Sequence, residues 1–195
     1  MKNVWKKSMA MVLIMSLMLG LMVGCGGGPV DADEEKNFAY PIELYYVSSA
    51  YLETGDDSIE PMVVVKNEAT AQVEEADEIY EATLEALVQI PGEGEDTMVR
   101  EGMIDDVTVT DGVAVVDFNE DYMHGGSLEE VYLIEQVVRT LIKSFDEVQK
   151  VRFTVEGEAV DSLMGHLEAN CTYGLIAVEE DGTEVELVSI VELYV

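Results

Sequence analysis

A chain of 195 residues, 48% of them apolar, is long enough to bury a hydrophobic core, so we expect one compact domain with short appendages. Its 41 Asp and Glu against 10 Lys and Arg give a formal net charge of −31 at pH 7. This charge argues against nucleic acid as a partner, because binding phosphates requires a basic surface. The acidic surface has two open explanations: a solvated face suited to a salty or alkaline exterior, or the binding of divalent cations.

The N-terminal segment differs from the rest of the chain. Lys2, Lys6 and Lys7 precede an uncharged run from Met9 to Gly24 that is 16 residues long. A helix that spans a bilayer needs about 20 apolar residues, so this run is short for a membrane anchor. A basic start followed by a short apolar core is typical of an export signal.

The end of this run, Met22-Val23-Gly24-Cys25, resembles the cleavage site of bacterial lipoprotein precursors. In that family a small residue precedes a cysteine that is acylated and becomes the mature N-terminus. Gly24 and Cys25 match, whereas Met22 stands where Leu is usual. The resemblance implies that a lipidated Cys25 anchors the chain in the cytoplasmic membrane, the lipid including palmitate-like acyl chains. The alternative is an uncleaved N-terminal helix in which Cys25 is incidental. Both interpretations place the remainder outside the cytoplasmic membrane, because the positive charges stay inside.

The segment after Cys25 predicts a flexible tether, since Gly26-Gly27-Gly28 and the acidic run Asp31 to Glu35 are too polar and glycine-rich to pack. Three of the ten basic residues and no acidic residue precede Cys25, so the formal charge from Cys25 onward is −34. We therefore predict four regions: a signal peptide at 1–24, a tether at 25–39, a folded domain at 40–169 and an acidic C-terminal hairpin extension at 170–195.

The first half of the domain predicts two strands and a helix. Ile42, Leu44 and Tyr46 alternate with polar neighbours, and the valine run of Met62 to Lys66 follows Pro61, so both stretches favour strands. Thr54 to Ser58 is interpreted as a polar turn between them. Apolar residues then recur at helical steps from Val73 to Gln89, and Pro91-Gly92 ends that helix. Glu93 to Gly102 is polar, and we expect it to be mobile.

The second half is organised around Asp111 to Phe145. Asp111-Gly112, between alternating Val107 to Thr110 and the apolar run Val113 to Val116, indicates a tight hairpin. Ser127 and Glu130 have the spacing of a capping box, with Ser127 at the N-cap, and apolar residues then recur at three- and four-residue steps to Phe145.

The remaining stretches complete a β-β-α-β-β-α-β order. Val151 to Val155 alternates as a strand and turns at Glu156-Gly157, while Leu175 to Val178 and Val185 to Val195 flank Asp181-Gly182 as a C-terminal hairpin. This order predicts an α+β fold: a small, mainly antiparallel sheet with two helices on one face. We expect the core to be built on five residues: Val113, Val115, Phe118, Val138 and Leu141.

Several of these pieces, in this order, resemble the GerM-type (GerMN) domain of sporulation and spore-germination lipoproteins of Gram-positive-type bacteria. They are Ala82 to Leu87 with Pro91, Asp111-Gly112-Val113-Ala114-Val115-Val116-Asp117-Phe118, the helix to Phe145, Val148 to Gly157, and Leu163-Met164-Gly165-His166. The resemblance covers about Tyr40 to Glu168. It implies an extracytoplasmic domain similar to the ring-building modules of envelope machines, with no established enzymatic activity. The acidic hairpin after Asn170 departs from the family's usual short tail.

Candidate chemistry is sparse. His124 precedes a helix N-terminus, where backbone N–H groups can hold anions, and His166 is interpreted as a structural residue that bonds to the backbone. Asp117 interrupts an apolar strand, either as a satisfied structural acid or as one of a functional pair. Cys171 has no disulfide partner if Cys25 is acylated, so we expect a small buried residue rather than a nucleophile. We predict no catalytic residue, no cofactor and no metal ligand.

Three classes of function remain. The first is a membrane-anchored envelope module that binds a protein partner or assembles with itself. The second is a binder of a small ligand, a cell-wall fragment or a divalent cation, suggested by Tyr45, Tyr46 and Tyr51 and by the acidic run Glu179 to Glu184. That run lacks the ligand pattern of a calcium loop and favours a hairpin turn. The third, a hydrolase, is disfavoured because two histidines and no nucleophile motif give little to build on.

Overall fold

A computed structural model describes residues 38–71, 78–180 and 183–193, with side chains over 40–66, 78–176 and 187–193. This part of the chain forms eight strands and three α-helices. The strands are β1 (Phe38–Ser48), β2 (Met62–Ala71), β3 (Glu95–Asp96), β4 (Ile104–Thr110), β5 (Val113–Phe118), β6 (Lys150–Val155), β7 (Cys171–Glu180) and β8 (Thr183–Leu193). The helices are α1 (Ser49–Thr54), α2 (Ile79–Ala86) and α3 (Ser127–Ser144).

The strands are divided between two sheets. One has the order β2-β1-β3, and the other has the order β4-β5-β6-β7-β8. Only β5 and β6 pair in parallel, and α3 is the crossover that this pairing requires. The α+β class, the mainly antiparallel pairing and the C-terminal hairpin are confirmed. The sequence predicts one small sheet with an added C-terminal hairpin, whereas the structure sets β1, β2 and β3 apart in a second sheet and joins the hairpin to β6. The reason is that periodicity reports a buried face and not the neighbouring strand.

The β4–β5 hairpin forms at the predicted dipeptide. Asp111 and Gly112 both have positive φ, 52° and 81°, as a type I′ turn requires. Glycine adopts this conformation without strain, and aspartate tolerates it better than most residues do. The turn therefore sets the register in which Thr110 pairs with Val113.

Two of the three β5 residues expected in the core, Val113 and Val115, lie on the other face of the strand. Ala114, Val116 and Phe118 are fully buried, whereas Val113 and Val115 are half-buried on the other face. A continuous apolar run carries no phase, so the sequence could not say which set points inward. The predictions for Phe118, Val138 and Leu141 are confirmed, since all three are buried. An aromatic row crosses this face, with Phe153 5.7 Å from both Phe118 and Tyr173 between ring centroids.

The N-cap of helix α3 lies one residue before the predicted cap, Ser127. Gly126 is the N-cap, and its N–H donates to the carboxylate of Glu129 at 2.9 Å. Ser127 is instead the first helical residue, and Glu130 is not the capping acid. The acid three residues after the N-cap is the one that can reach back to it, so moving the cap moves the acid that serves it.

The edge of β1 that faces α3 is closed by side chains of that helix. Three polar residues at four-residue steps lie on one side of α3: Gln136, Thr140 and Ser144. The N–H of Glu43 donates to Ser144 Oγ at 3.0 Å, and the N–H of Tyr45 donates to Thr140 Oγ1 at 3.2 Å. Gln136 Nε2 donates to the Tyr45 carbonyl at 3.0 Å. The helix therefore satisfies backbone groups of β1 that no strand pairs.

Three segments differ from the sequence predictions. A short helix, α1, which the sequence does not predict, precedes the turn predicted at Thr54 to Ser58; its N-cap is Ser48, and it ends at Gly55 with φ of 61°. The helix predicted over Val73 to Gln89 is observed as α2, from Ile79 to Ala86, while residues 72–77 lie outside the described part. Glu93 to Gly102 is not simply a polar loop, because it supplies β3 and buries Val99.

Candidate functional site

A buried carboxylate, Glu130, is the most heavily bonded polar group in the described domain. It lies on the inward side of α3, four residues before buried Ile134, and its exposed fraction is 0%. Both of its oxygens accept hydrogen bonds from residues 162–167, which we call the clamp loop. The five donors are Ser162 Oγ (2.8 Å), Leu163 N (3.0 Å), Met164 N (2.9 Å), His166 N (2.9 Å) and Leu167 N (3.1 Å).

The charge on Glu130 is held by these donors. Burial is the largest single influence and by itself raises the pKa of this carboxyl, but the bonds from Met164, Ser162, His166 and Leu167 together outweigh it. The net result is a pKa below the usual value, so Glu130 is ionised at neutral pH. A carboxylate whose lone pairs are all engaged inside the protein has none left to take a substrate proton. Glu130 therefore fastens the clamp loop to α3.

The sequence carried a signal for Glu130 that the capping interpretation obscured. Ile134, Val138 and Leu141 are buried, and Glu130 lies four, eight and eleven residues before them. An acid at a position of the apolar stripe has to find internal donors. Those donors come from residues 32 to 37 positions away, which periodicity does not reveal.

The two histidines do not form a catalytic pair with this carboxylate. His124 is exposed, and the N-terminus of α3 beside it is already capped by Glu129. The ring Nε2 of His166 lies 3.3 Å from the Gly125 carbonyl oxygen, as expected for a structural role. Gly125 leaves room for two neighbouring side chains, because a Cβ there would lie 2.7 Å from Glu129 Oε2 and 2.9 Å from Met164 Sδ. Gly125 therefore serves packing.

Asp117 is a satisfied structural acid. Its Oδ1 accepts from Thr154 Oγ1 at 2.6 Å and from the N–H of Gly157 at 2.8 Å. Glu156 and Gly157 form the turn after β6 with φ values of 51° and 78°. Asp117 thus ties the end of β5 to this turn, and the first of the two interpretations is the observed one.

Cys171 is a buried residue, as the sequence indicated. Its exposed fraction is 0%, and its thiol donates to the Glu168 carbonyl at 3.3 Å. Burial, more than any other influence, raises the pKa of this thiol, and the nearby Glu168 adds to the effect. A thiol with a raised pKa yields little thiolate at neutral pH, so Cys171 is poorly suited to nucleophilic attack.

The three tyrosines suggested as a ligand platform point to different places. Tyr46 is buried, and its hydroxyl donates to the Gln89 carbonyl at 2.8 Å behind the end of α2; burial raises the pKa of Tyr46 to about 12. The hydroxyl of Tyr45 bonds to Glu43 at 3.2 Å on β1. Tyr51 on α1 packs edge to face with Tyr132, 5.8 Å away between centroids. A flat sugar-binding surface cannot be built from them.

A separate open cleft of about 450 Å³ lies between α2 and β4. Its walls include Tyr40, Ile79, Tyr80 and Glu147, and residues 107–110 of β4 complete it. The Tyr80 hydroxyl donates to the Glu147 carboxylate at 2.8 Å. This cleft is a concave surface of the described domain that could receive a small molecule.

The predicted anchor and tether, including Cys25, lie outside the described residues. Among the residues that are described, no helix is long and apolar enough to cross a membrane. Within the same ranges, three or more His, Cys, Asp or Glu side chains nowhere come together as potential metal ligands. The hairpin predicted at Glu179 to Glu184 is observed as β7 and β8, although residues 181–182 lie outside the described part.

Comparisons with known proteins identify the domain. The family model of Germane, described as sporulation and spore germination, matches residues 43–161, which is more than half of the chain. The tandem GerMN domains of the sporulation protein GerM from Bacillus subtilis superpose with a TM-score of 0.53 at 14% identity, over 77% of this chain and 60% of that chain. At this identity the likeness establishes the fold alone.

Two further solved structures are similar. The first GerMN domain of the same Bacillus subtilis protein has a TM-score of 0.49 at 18% identity, over 66% of this chain and 92% of that one. A Clostridium perfringens protein described as a lipoprotein has a TM-score of 0.45 at 15% identity, over 75% and 93%. A search of curated protein sequences found no match. Since the family model covers most of the folded domain, the chain belongs to the Germane family of sporulation and spore-germination domains.

Proposed function

We propose that this protein is a lipid-anchored interaction module on the outer face of the cytoplasmic membrane, and that it works in spore formation or germination by binding another envelope protein. The observation that carries the proposal is the family match over residues 43–161. Cys25 is the lipid-bearing residue in this proposal, and the tether of residues 25–39 could hold the domain at most roughly 50 Å from the membrane.

The use of the domain's polar groups supports a role without catalysis. Glu130, Asp117 and the ring of His166 are all bonded within the domain. The thiol of Cys171 is buried and bonded to a carbonyl. An active site needs a nucleophile or base that is free to meet substrate, together with a group that orients it. These residues hold loops and strand ends together instead.

The anchor is tested with two cysteine variants. Cells are labelled with an alkyne analogue of palmitate, and the full chain is compared with Cys25→Ala and with Cys171→Ala, the matched control in which the buried cysteine is removed. We expect Cys25→Ala to lose the label. This variant should also leave the membrane fraction or persist as the longer precursor. Cys171→Ala should keep the label and stay in the membrane fraction. An unmodified Cys25 found in mid-chain by mass spectrometry of the isolated protein would refute the anchor.

The cellular role is tested by deletion and complementation in the organism that produces the protein. We expect the deletion to lower the yield of heat-resistant spores or the rate of their germination, and the wild-type chain to restore it. Cys25→Ala is expected to restore it poorly at equal protein level, because an interaction module has to be kept at the membrane. Normal sporulation and germination in the deletion strain would contradict the proposal.

A second function, binding of a small ligand such as a cell-wall fragment, is favoured by the cleft between α2 and β4. Its tyrosine and apolar lining suits a compact ligand with one or two polar groups. Titration of the isotope-labelled protein with soluble cell-wall fragments should shift the amide signals of Val107 to Thr110 if this function exists. Tyr80→Phe, which removes the hydroxyl bonded to Glu147, should weaken that response.

A further inference from the structure

The exposed large apolar residues of the described domain are concentrated on its C-terminal hairpin. Five of them belong to β7 and β8, each between 38% and 54% exposed, and we call them the hairpin patch: Ile176, Leu187, Ile190, Val191 and Leu193. The others lie apart from one another: Val64 on β2, Ile90 in the loop after α2, and Leu128 on α3. Single exposed apolar residues are ordinary, whereas a group of them on neighbouring strands marks a surface that binds something.

The pairing of the hairpin places members of the patch on both faces of the sheet beside β8. Ile176 and Leu187 are directly paired across the two strands, so their side chains lie on the same face. Val191 lies over Gly174, where its Cγ1 would be 3.0 Å from a Cβ, and it thereby covers the space that the glycine leaves. A register shift between Thr172 and Tyr173 sets Ile190 opposite the buried Tyr173, and Leu193 pairs with the buried Cys171. Ile190 and Leu193 therefore lie on the face opposite to the other three members, and the patch borders the edge of β8 on both faces.

The backbone edge of β8 beside the patch limits what kind of group can cover the patch. β8 is the last strand of the five-stranded sheet, with β7 as its strand neighbour in the described part of the chain. The opposite side of β8 presents a row of backbone N–H and C=O groups along an apolar margin. A lipid tail cannot satisfy these groups, and a helix uses its own backbone internally. An extended peptide segment meets both needs, because it supplies backbone hydrogen bonds and alternating side chains.

Charge decides between a second copy and a different partner. The chain carries −31, and residues 183–195 contain three glutamates and no lysine or arginine. Two copies that approach at β8 would bring like-charged domains together, which is unfavourable at physiological salt. A partner segment bearing lysine or arginine is attracted by the same field.

We propose that β8 is a docking edge for an extended segment of another protein, one that alternates apolar with basic residues and adds a sixth strand to the sheet. This inference names the surface of the proposed interaction module and rests on that proposed function. The partner's backbone pairs with β8, and its apolar side chains cover the face of the hairpin patch formed by Ile176, Leu187 and Val191. Its basic side chains meet the acidic domain.

The test uses the full-length chain in detergent and a synthetic fluorescent peptide of nine residues that alternates lysine and valine. A twin peptide, methylated at every amide nitrogen, keeps the charges and side chains but cannot donate backbone hydrogen bonds. Fluorescence anisotropy at fixed ionic strength is expected to show saturable binding of the first peptide. The twin is expected to bind at least about tenfold more weakly, a change of about 1.4 kcal/mol.

Two protein variants with equal charge changes locate the contact. Leu187→Lys puts a positive charge into the hairpin patch, and Ile90→Lys puts the same charge on a similarly exposed residue away from β8. We expect Leu187→Lys to weaken peptide binding at least about tenfold and Ile90→Lys by less than about twofold, because only the first disturbs the apolar contact. Circular dichroism of both variants checks that the domain is still folded.

Four outcomes would overturn the proposal. They are the absence of saturable binding, equal binding of the methylated twin, equal losses in the two variants, and a chain that dimerises through Leu187 and does so more strongly at high salt. The last result would make a second copy the occupant. None of these outcomes depends on Cys25 or on spores, so the docking edge can fail while the anchored envelope role stands, and the reverse is equally possible.

Discussion

At β1, the edge beside α3 is closed by Gln136, Thr140 and Ser144, whereas at β8 the edge away from β7 is bordered by exposed apolar side chains. Both are outer margins of strands in one small domain. The first margin lies against a helix whose polar side chains bond to the strand backbone, so it is part of the interior. The second has an apolar border and an unpaired strand side, which are properties of an interface.

The contrast indicates where stability and function reside. A polar group that bonds inside the domain cannot be removed without leaving its partner unsatisfied, so changes around α3 should cost stability. Side chains of the hairpin patch have no such internal partners and should tolerate change. Substitutions at the two margins should therefore differ in their cost to the free energy of unfolding.

Leu141→Ala should destabilise the domain most, by about 2–5 kcal/mol, because it empties a fully buried position of α3 against the sheet. Leu128→Ala on the same helix is the matched control, since Leu128 is half exposed, and it should cost less than about 0.5 kcal/mol. Urea titration measures both. A loss below about 0.5 kcal/mol for Leu141→Ala would show that this side of α3 does not hold the core.

Glu130→Gln should cost about 2–3 kcal/mol at pH 7, because an amide cannot accept all the bonds that the clamp loop donates and its own NH₂ faces other donors. Asp117→Asn provides a comparison with fewer donors at the same kind of group. Urea titration is the measurement, and loss of protection of the Met164 and Leu167 amides in hydrogen exchange should accompany it. A clamp loop as protected in Glu130→Gln as in the wild type would argue against this role.

The same carboxylate should make the domain sensitive to acid. Its pKa is lower in the folded state than the unfolded value of about 4.3, so its contribution is fully present above that value and is lost as pH falls through the folded pKa. Glu81 and Glu85 act in the opposite sense, since burial raises the pKa of each. The useful quantity is therefore the gap in unfolding free energy between wild type and Glu130→Gln, which should narrow below about pH 4.3. A difference in unfolding free energy that stays constant from pH 7 to pH 3 would contradict this role of the Glu130 carboxylate.

Gln136→Leu tests the closed edge directly. It removes the donor to the Tyr45 carbonyl and the acceptor of the Met98 N–H, so it should cost about 1–3 kcal/mol. Leu187→Lys at the open edge should cost less than about 0.5 kcal/mol, because the side chain is already 46% exposed. Equal losses in the two variants, measured by urea titration, would erase the distinction between the two margins.

The smallest effect should come from salt. With a formal charge of −31, like-charge repulsion opposes the compact state, and molar NaCl screens it by reducing the Debye length to about 3 Å. We expect the melting temperature to be a few degrees higher in molar NaCl than at low ionic strength. CaCl₂ at matched ionic strength should do no more. Saturating stabilisation by Ca²⁺ without an effect of NaCl would instead reveal a cation site.

Local features of the fold were readable from residue order. The Asp111-Gly112 turn, the alternation of Ile42 and Leu44, and the stripe along α3 all appear in the structure, because each follows from the conformational limits of a few neighbouring residues. The same is true of the C-terminal hairpin. The predictions about the anchor at Cys25 depend on motifs outside the described residues and stay predictions.

The candidate site was less predictable. Glu130 was interpreted as a helix cap because Ser127 stands three residues before it, a spacing that a cap and a chance pair share. Its donors in the clamp loop approach only after β6 and the following turn have brought the chain back to α3. Spacing along a helix therefore indicates the side of the helix on which Glu130 lies, but not the hydrogen-bond donors that reach it.

The sequence establishes the α+β class, the order of the longer elements, the acidic character and the family resemblance, since these depend on composition, periodicity and short motifs. The short elements α1 and β3, the face of β5 that enters the core, the division of the strands into two sheets, and the difference between the closed and the open margin depend on the folded structure. Each of these is a choice among surfaces of similar composition. Such choices are settled by contacts between residues far apart in the chain, which local preference does not encode.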